Sequence, residues 1–351
     1  QVIPDINVEV VRVSAGAEKA KAAGYVRSPL VAYAEPDYIA YALEGPNDPD
    51  LTKQWGLNNT GQVYKDGQAG TMDADIDAPE AWLITTGNPN VKIAILDSGI
   101  DQDHEDLVGK VVDNVNFTDG GTVDDLYGHG THVAGIAAAA THNGVGVAGV
   151  GYNSGLLNVK VLNDQGSGYY SWIANGIVWA ADHGAKVINM SLGASVKSRT
   201  LENAVNYAWN KGVVLACAGG NSGNPSSTYP AAYRNCIAVA ATDANDRKAS
   251  WSSYGSKWMD VAAPGVDIFS TFPNHPYVIG KSLDYDYGSG TSMATPHVAG
   301  LAALVWSTPY GTSNQSVRNR IESTADSIAG TGTYWIHGRI NACKAVGGNC
   351  K

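Results

Sequence analysis

The sequence predicts an α/β fold, a doubly wound and mainly parallel sheet flanked by helices, preceded by a small strand–helix–strand segment at the N-terminus. Three observations carry this. From about residue 75, strand-like and helix-like patterns alternate along the chain. The strand-like runs are continuously apolar, as strands buried on both faces are. The composition suits a compact, turn-rich domain. Of 351 residues, 44% are hydrophobic, 16% charged and 41 glycine, too few charges for a disordered or coiled-coil chain.

Residues 1–44 stand apart from the rest of the chain. Residues 8–13 (VEVVRV) read as a strand, 15–26 as an Ala/Lys-rich helix, and 30–43 as a second strand with alternating apolar positions. So small a unit cannot bury a self-sufficient core. The run Gly45-Pro46-Asn47-Asp48-Pro49 then breaks the pattern and marks a boundary between segment 1–44 and domain 45–351. In the domain, strands are expected at 91–96, 156–162, 186–190, 213–216 and 237–241. Helices are expected at 131–140, 170–183, 200–211 and 292–306. Helix 200–211 shows the rules at work: Leu201, Val205 and Ala208 share one face, and Gly212 is the stop.

The formal net charge is −10, which disfavours nucleic acid and anionic membranes as partners. No apolar run approaches the roughly 20 residues of a membrane span. The chain opens at Gln1 without a basic-then-apolar leader, as it would after removal of a secretion signal. Four cysteines are too few for a disulfide scaffold. Cys343 and Cys350 enclose a short Gly-rich loop suited to a staple. Cys217 and Cys236 lie in or beside apolar runs, and read equally as core thiols or as a bridge.

Three segments carry chemistry. Asp97 ends an apolar strand, His129 lies between glycines ahead of an apolar helix, and Ser292 stands at another helix start. In open α/β sheets reactive groups collect at the carboxyl ends of strands. A serine hydroxyl is a weak nucleophile at neutral pH and needs a base. Imidazole has a suitable pKa, and a carboxylate fixes its tautomer and steadies its cation. Each residue alone reads more readily as a helix cap, turn former or packed side chain. Together, with their glycine collars, they read as a nucleophile and its support.

These segments, ILDSGID (95–101), GHGTHVAGI (128–136), NMSLG (189–193) and GTSMATPHVAGLAALV (290–305), resemble the subtilisin-like serine proteases, most of all their thermitase and subtilisin branches, from about Asn47 to Val346. The triad order Asp, His, Ser is the one already known from subtilisin. The resemblance implies that Asp97 orients, His129 is the general base and then acid, and Ser292 is the nucleophile. His132 and His297, at other motif positions, would be packed helix residues. The oxyanion hole would combine the Ser292 N–H with the Asn221 side chain.

The same resemblance implies a peptide bound as an added strand along Gly166-Ser167-Gly168 and Ser191-Leu192-Gly193. Ala218, Gly219, Gly220 and Thr228 would line the pocket for the residue before the scissile bond. A β-branched Thr228 on its floor would favour medium apolar and aromatic residues. Ca2+ is the implied ion, held by Asp48, Asp106 and Asn143 side chains and the carbonyls of Thr141, Val145 and Val147. A second calcium site at 116–127 departs from the family pattern, with Asn116 where an Asp is expected. The run 269–288 is longer than usual, and its Asp284 and Asp286 are expected to form an acidic rim. Residues 28–38 resemble the carboxyl half of an inhibitory propeptide. That implies a truncated prodomain whose tail, 38–44, threads the cleft, with processing between about 41 and 46.

The expected activity is a secreted, extracellular, monomeric endopeptidase acting on proteins and peptides. The α/β hydrolases also use Ser, His and Asp, but need G-x-S-x-G and the order Ser, Asp, His, and the run from Gly290 to Ala294 fits neither. A catalytically silent binding module would have lost a triad or oxyanion residue, and all are present.

Overall fold

The computed structural model describes residues 2–14, 16–37, 45–65 and 67–350. The chain divides into two compact units, Gln1–Gly45 and Pro46–Lys351. In the first, strand Val2–Ile3 pairs antiparallel with Val8–Glu9 across a turn at Asn7, where φ is 54°. Helix Glu18–Tyr25 comes next and buries none of its residues. The strand expected at 8–13 is thus confined to its first two residues. Residues 30–37 form no strand. Pro29 and Pro36 flank that stretch, and proline supplies no N–H to a ladder. The remaining expected positions, 38–44, lie outside the described residues.

The second unit is built on an eight-stranded sheet. Its strands and helices, in chain order, are β1 (Lys92–Asp97), β2 (Val111–Asn116), α1 (His129–Ala138), β3 (Gly155–Lys160), α2 (Tyr170–Asp182), β4 (Ala185–Met190), α3 (Arg199–Asn210), β5 (Val214–Ala218), β6 (Cys236–Thr242), β7 (Val261–Pro264), the β8–β9 hairpin (Ile268–Thr271 and Tyr285–Gly288), α4 (Thr291–Trp306), α5 (Asn314–Ser323) and β10 (Gly338–Arg339). The sheet order is β10-β7-β6-β5-β4-β1-β3-β2, with every pairing parallel. From β1 the chain runs first to one side, through β2 and β3, and later to the other. Its carboxyl end is therefore the point where strand order reverses, the usual place for a site in such a sheet.

Two cores explain why β1 is apolar from Ile93 to Leu96. Ile93 and Ile95 face the layer of α1 and α4, while Ala94 and Leu96 face α2 and α3. Helix α3 presents Leu201, Ala204, Val205 and Ala208 to the second core. Ser198 caps its N-terminus by accepting a 3.3 Å hydrogen bond from the Leu201 N–H, a contact contributing about 1 kcal/mol. Helix α4 is buried at nearly every position and runs beneath β4, β5, β6 and β7. The cysteines divide into two pairs. Cys217 and Cys236 stand as buried free thiols on neighbouring strands, while Cys343 and Cys350 are within bonding distance, with Cα atoms 6.2 Å apart. Among the described residues, no helix is long and apolar enough to cross a membrane.

Candidate active site

The sheet brings Asp97 and His129 together because α1 begins directly over the end of β1. A Cβ on Gly130 would stand only 2.1 Å from the Gly99 carbonyl oxygen and 3.1 Å from the Asp97 Cβ, so a bulkier residue would lift the helix off the strand. His129 Nδ1 lies 2.7 Å from Asp97 Oδ1, and that oxygen also accepts the Ser98 N–H at 2.8 Å. Asp97 is fully buried. Burial pulls the His129 pKa down, but the charge of Asp97, its hydrogen bond and the more distant Asp125 outweigh this, and the net pKa lies above the ordinary histidine value. The imidazole is thus set up as a proton acceptor whose cation is stabilised.

Ser292 arrives from α4, and its hydroxyl makes no hydrogen bond to the imidazole among the described residues. Its Oγ donates to the Ser191 carbonyl at 3.1 Å, a hydrogen bond that must be given up before the proton can pass to His129. Such loosened pairs are common when no substrate is bound. The reason lies four residues on. Pro296 sits inside α4 and has no N–H to give back to Ser292. The orphaned Ser292 carbonyl instead accepts the Ser191 hydroxyl at 2.7 Å. Ser191 therefore grips the nucleophile's residue twice.

The two groups expected as oxyanion donors converge. Asn221 Oδ1 accepts the Thr291 N–H at 2.9 Å and the Thr291 hydroxyl at 3.0 Å. A backbone N–H only donates, so the amide orientation is fixed and Nδ2 is left for the cleft. The Ser292 N–H, in the first turn of α4, has no intrahelical partner. A Cβ on Gly290 would lie 3.5 Å from Ser292 N and 3.6 Å from Asn221 Nδ2, so both donors flank one small space.

The expected binding edges are only partly free: Gly166 and Ser167 are bonded back to Asn163, and the Ser191 carbonyl accepts the Ser292 hydroxyl. Gly168 and Gly193 take no hydrogen bond among the described residues, and Ser167 is exposed. Thr228 lies between the two walls: a Cβ on Gly220 would stand 2.6 Å from its Oγ1, and one on Gly193 2.7 Å from its Cγ2. Ala218 is buried at the end of β5 and Gly219 is backed by Met259. Leu192 is half-buried. The bond Tyr229–Pro230 is cis. His132 and His297 are buried in helices, where burial lowers their pKa values to about 3 and about 4.

The expected calcium ligands gather around one loop, 141–147, against which Asp48 and Asp106 are packed. Asp48 and Asp106 are buried and form no ion pair with a basic side chain among the described residues. Asn143 Nδ2 contacts Asp106 Oδ1 at 2.7 Å, and an amide turn would present its oxygen instead. The carbonyls of Thr141, Val145 and Val147 accept no hydrogen bond among the described residues. Unsatisfied carbonyls beside buried carboxylates are the donor set of a hard cation, and the residues fit Ca2+.

At 116–127 the loop is tied to itself instead. Asn116 bonds Gly120, Thr122 and Thr118. Asp125 accepts from Ser98, Gly128 and Thr131 and fixes the entry to α1. This positioning role escaped sequence reasoning. Its one signal was a carboxylate four residues ahead of the glycine-collared His129. Of the two acids expected on a rim, Asp284 is exposed and Asp286 is half-buried. Asp286 turns back onto the N–H groups of Ser282 and Tyr287. The segment instead lies against the residues before His129, with Val278 and Ile279 donating to the Leu126 and Tyr127 carbonyls at 3.0 and 3.1 Å.

Comparison with known proteins gives a consistent result. Residues 88–338 match the subtilase family. The chain is 54% identical to thermitase of Thermoactinomyces vulgaris over 272 residues, covering 77% of this chain and 93% of that protein. It is 49% identical to the thermophilic serine proteinase of Bacillus sp. (strain AK1) over 321 residues, covering 91% of this chain and 73% of the relative. A solved protease structure from Pseudoalteromonas arctica PAMC 21717 superposes with a TM-score of 0.73 at 34% identity, covering 86% of this chain and 99% of that one.

Proposed function

The chain belongs to the subtilase family of subtilisin-like serine proteases, and on that premise we propose that it is a secreted, extracellular endopeptidase of broad specificity. Ser292 attacks the scissile carbonyl, and His129 takes its proton and later delivers it to the leaving amine. Asp97 holds the imidazole, and the Ser292 N–H and Asn221 Nδ2 receive the developing oxyanion. The observation that carries this reading is the His129–Asp97 hydrogen bond at 2.7 Å, on the same sheet edge as Ser292 and its two converging donors. Incubating the purified chain with casein tests it. The appearance of internal cleavage products is expected, and an intact substrate would overturn it.

Asn221→Ala should lower kcat by roughly 10²–10³-fold with little change in KM, the size already known for this donor in subtilisin. Its partner Thr291 stays in place, so the loss belongs to the transition state. A raised KM at unchanged kcat would show that Asn221 binds the ground state instead. The reading includes Ca2+ at Asp48, Asp106, Asn143, Thr141, Val145 and Val147, a Cys343–Cys350 disulfide, and a monomeric enzyme.

The reading extends to residues 1–44 as a truncated inhibitory prodomain. The alignment with the AK1 proteinase runs over 321 residues, more than residues 46–351 supply, so it reaches into the first unit. Added to enzyme lacking it, the isolated 1–44 peptide should competitively inhibit hydrolysis of a small chromogenic peptide. No inhibition at high micromolar peptide would remove this part of the proposal.

A further inference from the structure

Beside the active site, three chain segments bring metal-ligating side chains together in a place the hydrolytic reaction does not use. Asp101 comes from the loop after β1, Asp124 from the loop before α1, and His275 from the long β8–β9 connection. One ligand atom from each lies within 4.8 Å of the others. Donors around a single tetrahedral ion bound at about 2.0–2.1 Å stand about 3.4 Å apart, so small side-chain rotations would close the set.

The histidine is oriented as a ligand. His275 Nδ1 lies 3.1 Å from the Pro276 carbonyl, and a carbonyl only accepts, so Nδ1 carries the proton. A ring N–H given to a carbonyl is the usual outer partner of a metal-bound histidine. Nε2 then faces Asp124 Oδ2 at 3.3 Å, is shut off from solvent and makes no hydrogen bond. A nitrogen lone pair and a carboxylate oxygen both seek a positive partner. Something cationic must stand between them, either a second proton or a metal.

The surrounding charge favours more than a proton. Asp101 is 1% exposed and forms no ion pair with lysine or arginine among the described residues. Its oxygens accept the Asn274 N–H at 2.8 Å and the Asp103 N–H at 3.3 Å. Asp103 adds a third carboxylate beside Asp101, so a lone imidazolium would leave three carboxylates against one positive charge, whereas a divalent ion offsets two of them. The imidazole donor argues against calcium and magnesium, which take oxygen ligands, and for a borderline transition ion.

We propose that Asp101, Asp124 and His275 form a binding site for a divalent transition-metal ion of the Zn2+ type, pinning the β8–β9 connection to the loops that carry Asp97 and His129. The site is separate from the calcium loop and takes no part in peptide-bond cleavage.

The test uses the full Ser292→Ala chain, freed of metals and returned to calcium-containing buffer at neutral pH, with zinc chloride titrated by calorimetry. One Zn2+ per chain is expected, with a raised unfolding temperature. His275→Ala and Asp101→Asn should each weaken binding at least tenfold, and His183→Ala, on the exposed end of α2, should not. His275→Gln keeps a side chain able to donate to Asp124, so its loss of zinc binding in a chain with an unchanged circular dichroism spectrum separates metal ligation from folding. Two results would overturn the proposal: no zinc binding, or binding of equal strength in the folded His275→Gln chain. Either would leave a proton as the occupant. Because the readout is binding to a chain without its nucleophile, the outcome is independent of the proposed peptidase activity.

Discussion

Replacing Ser292 with alanine is expected to reduce peptide hydrolysis by roughly 10⁶-fold, the size this change is already known to have in subtilisin. The fold should be left intact. The hydroxyl makes one hydrogen bond, to the Ser191 carbonyl at 3.1 Å, and such a contact contributes about 1 kcal/mol net. The reciprocal bond from the Ser191 hydroxyl goes to the Ser292 carbonyl and survives the substitution, as does the Ser292-position N–H. The altered chain should therefore keep its far-ultraviolet spectrum and its unfolding temperature to within a few degrees. It should also cease to digest itself. Steady-state kinetics on a chromogenic peptide, beside thermal unfolding, checks both halves. Hydrolysis above about 1% of the parent rate in a correctly folded chain would mean that another group is the nucleophile.

Removing calcium should produce the second large effect, on stability rather than chemistry. An ion present at about 1,000 times its dissociation constant stabilises the folded chain by about 4 kcal/mol, so a chelator should lower the unfolding temperature of the Ser292→Ala protein by roughly 10 °C. Asp106→Ala should reproduce the lower value with calcium present. The sign of the pH dependence comes from burial, which raises the Asp106 pKa despite hydrogen bonds from Asn143, Val147 and Tyr285. Without the ion, stability from its protonated form is present at low pH and is lost as pH rises through the raised pKa. The chelator's effect should therefore shrink toward acid pH. An unfolding curve that ignores chelator at neutral pH would exclude the site.

The parts of this fold that were legible in the sequence are those where one physical rule acts alone. Strands β1, β3, β4, β5 and β6 are buried on both faces and announce themselves as apolar runs. Strand β2 does not, because it is the sheet's edge, half-buried, and carries Asp113, Asn114 and Asn116. Strand β7 is short and ends at Pro264, which reads as a break. The motifs single out Asp97, His129, Ser292 and Asn221 as candidates, because glycine and apolar context mark them. Relationships across the fold were not visible. Nothing local says that Pro296 frees a carbonyl for Ser191, that Thr291 orients Asn221, or that Asp125 is a buried anchor. In the first unit, the alternating pattern of 30–37 suggested a strand, but pattern without a paired neighbour does not make one.

The position of α4 has a consequence for how the molecule comes into being. Synthesis runs from the N-terminus, so β1 to β7 and α1 all leave the ribosome before Thr291–Trp306. Until that segment is made, the chain has no Ser292, and the Asn221 amide lacks the Thr291 partners that aim it. One late segment therefore supplies the proposed nucleophile and the partner that aims the proposed oxyanion donor together. A half-made chain, still tethered among the cell's own proteins, carries an acid and a base but has no means of cutting anything.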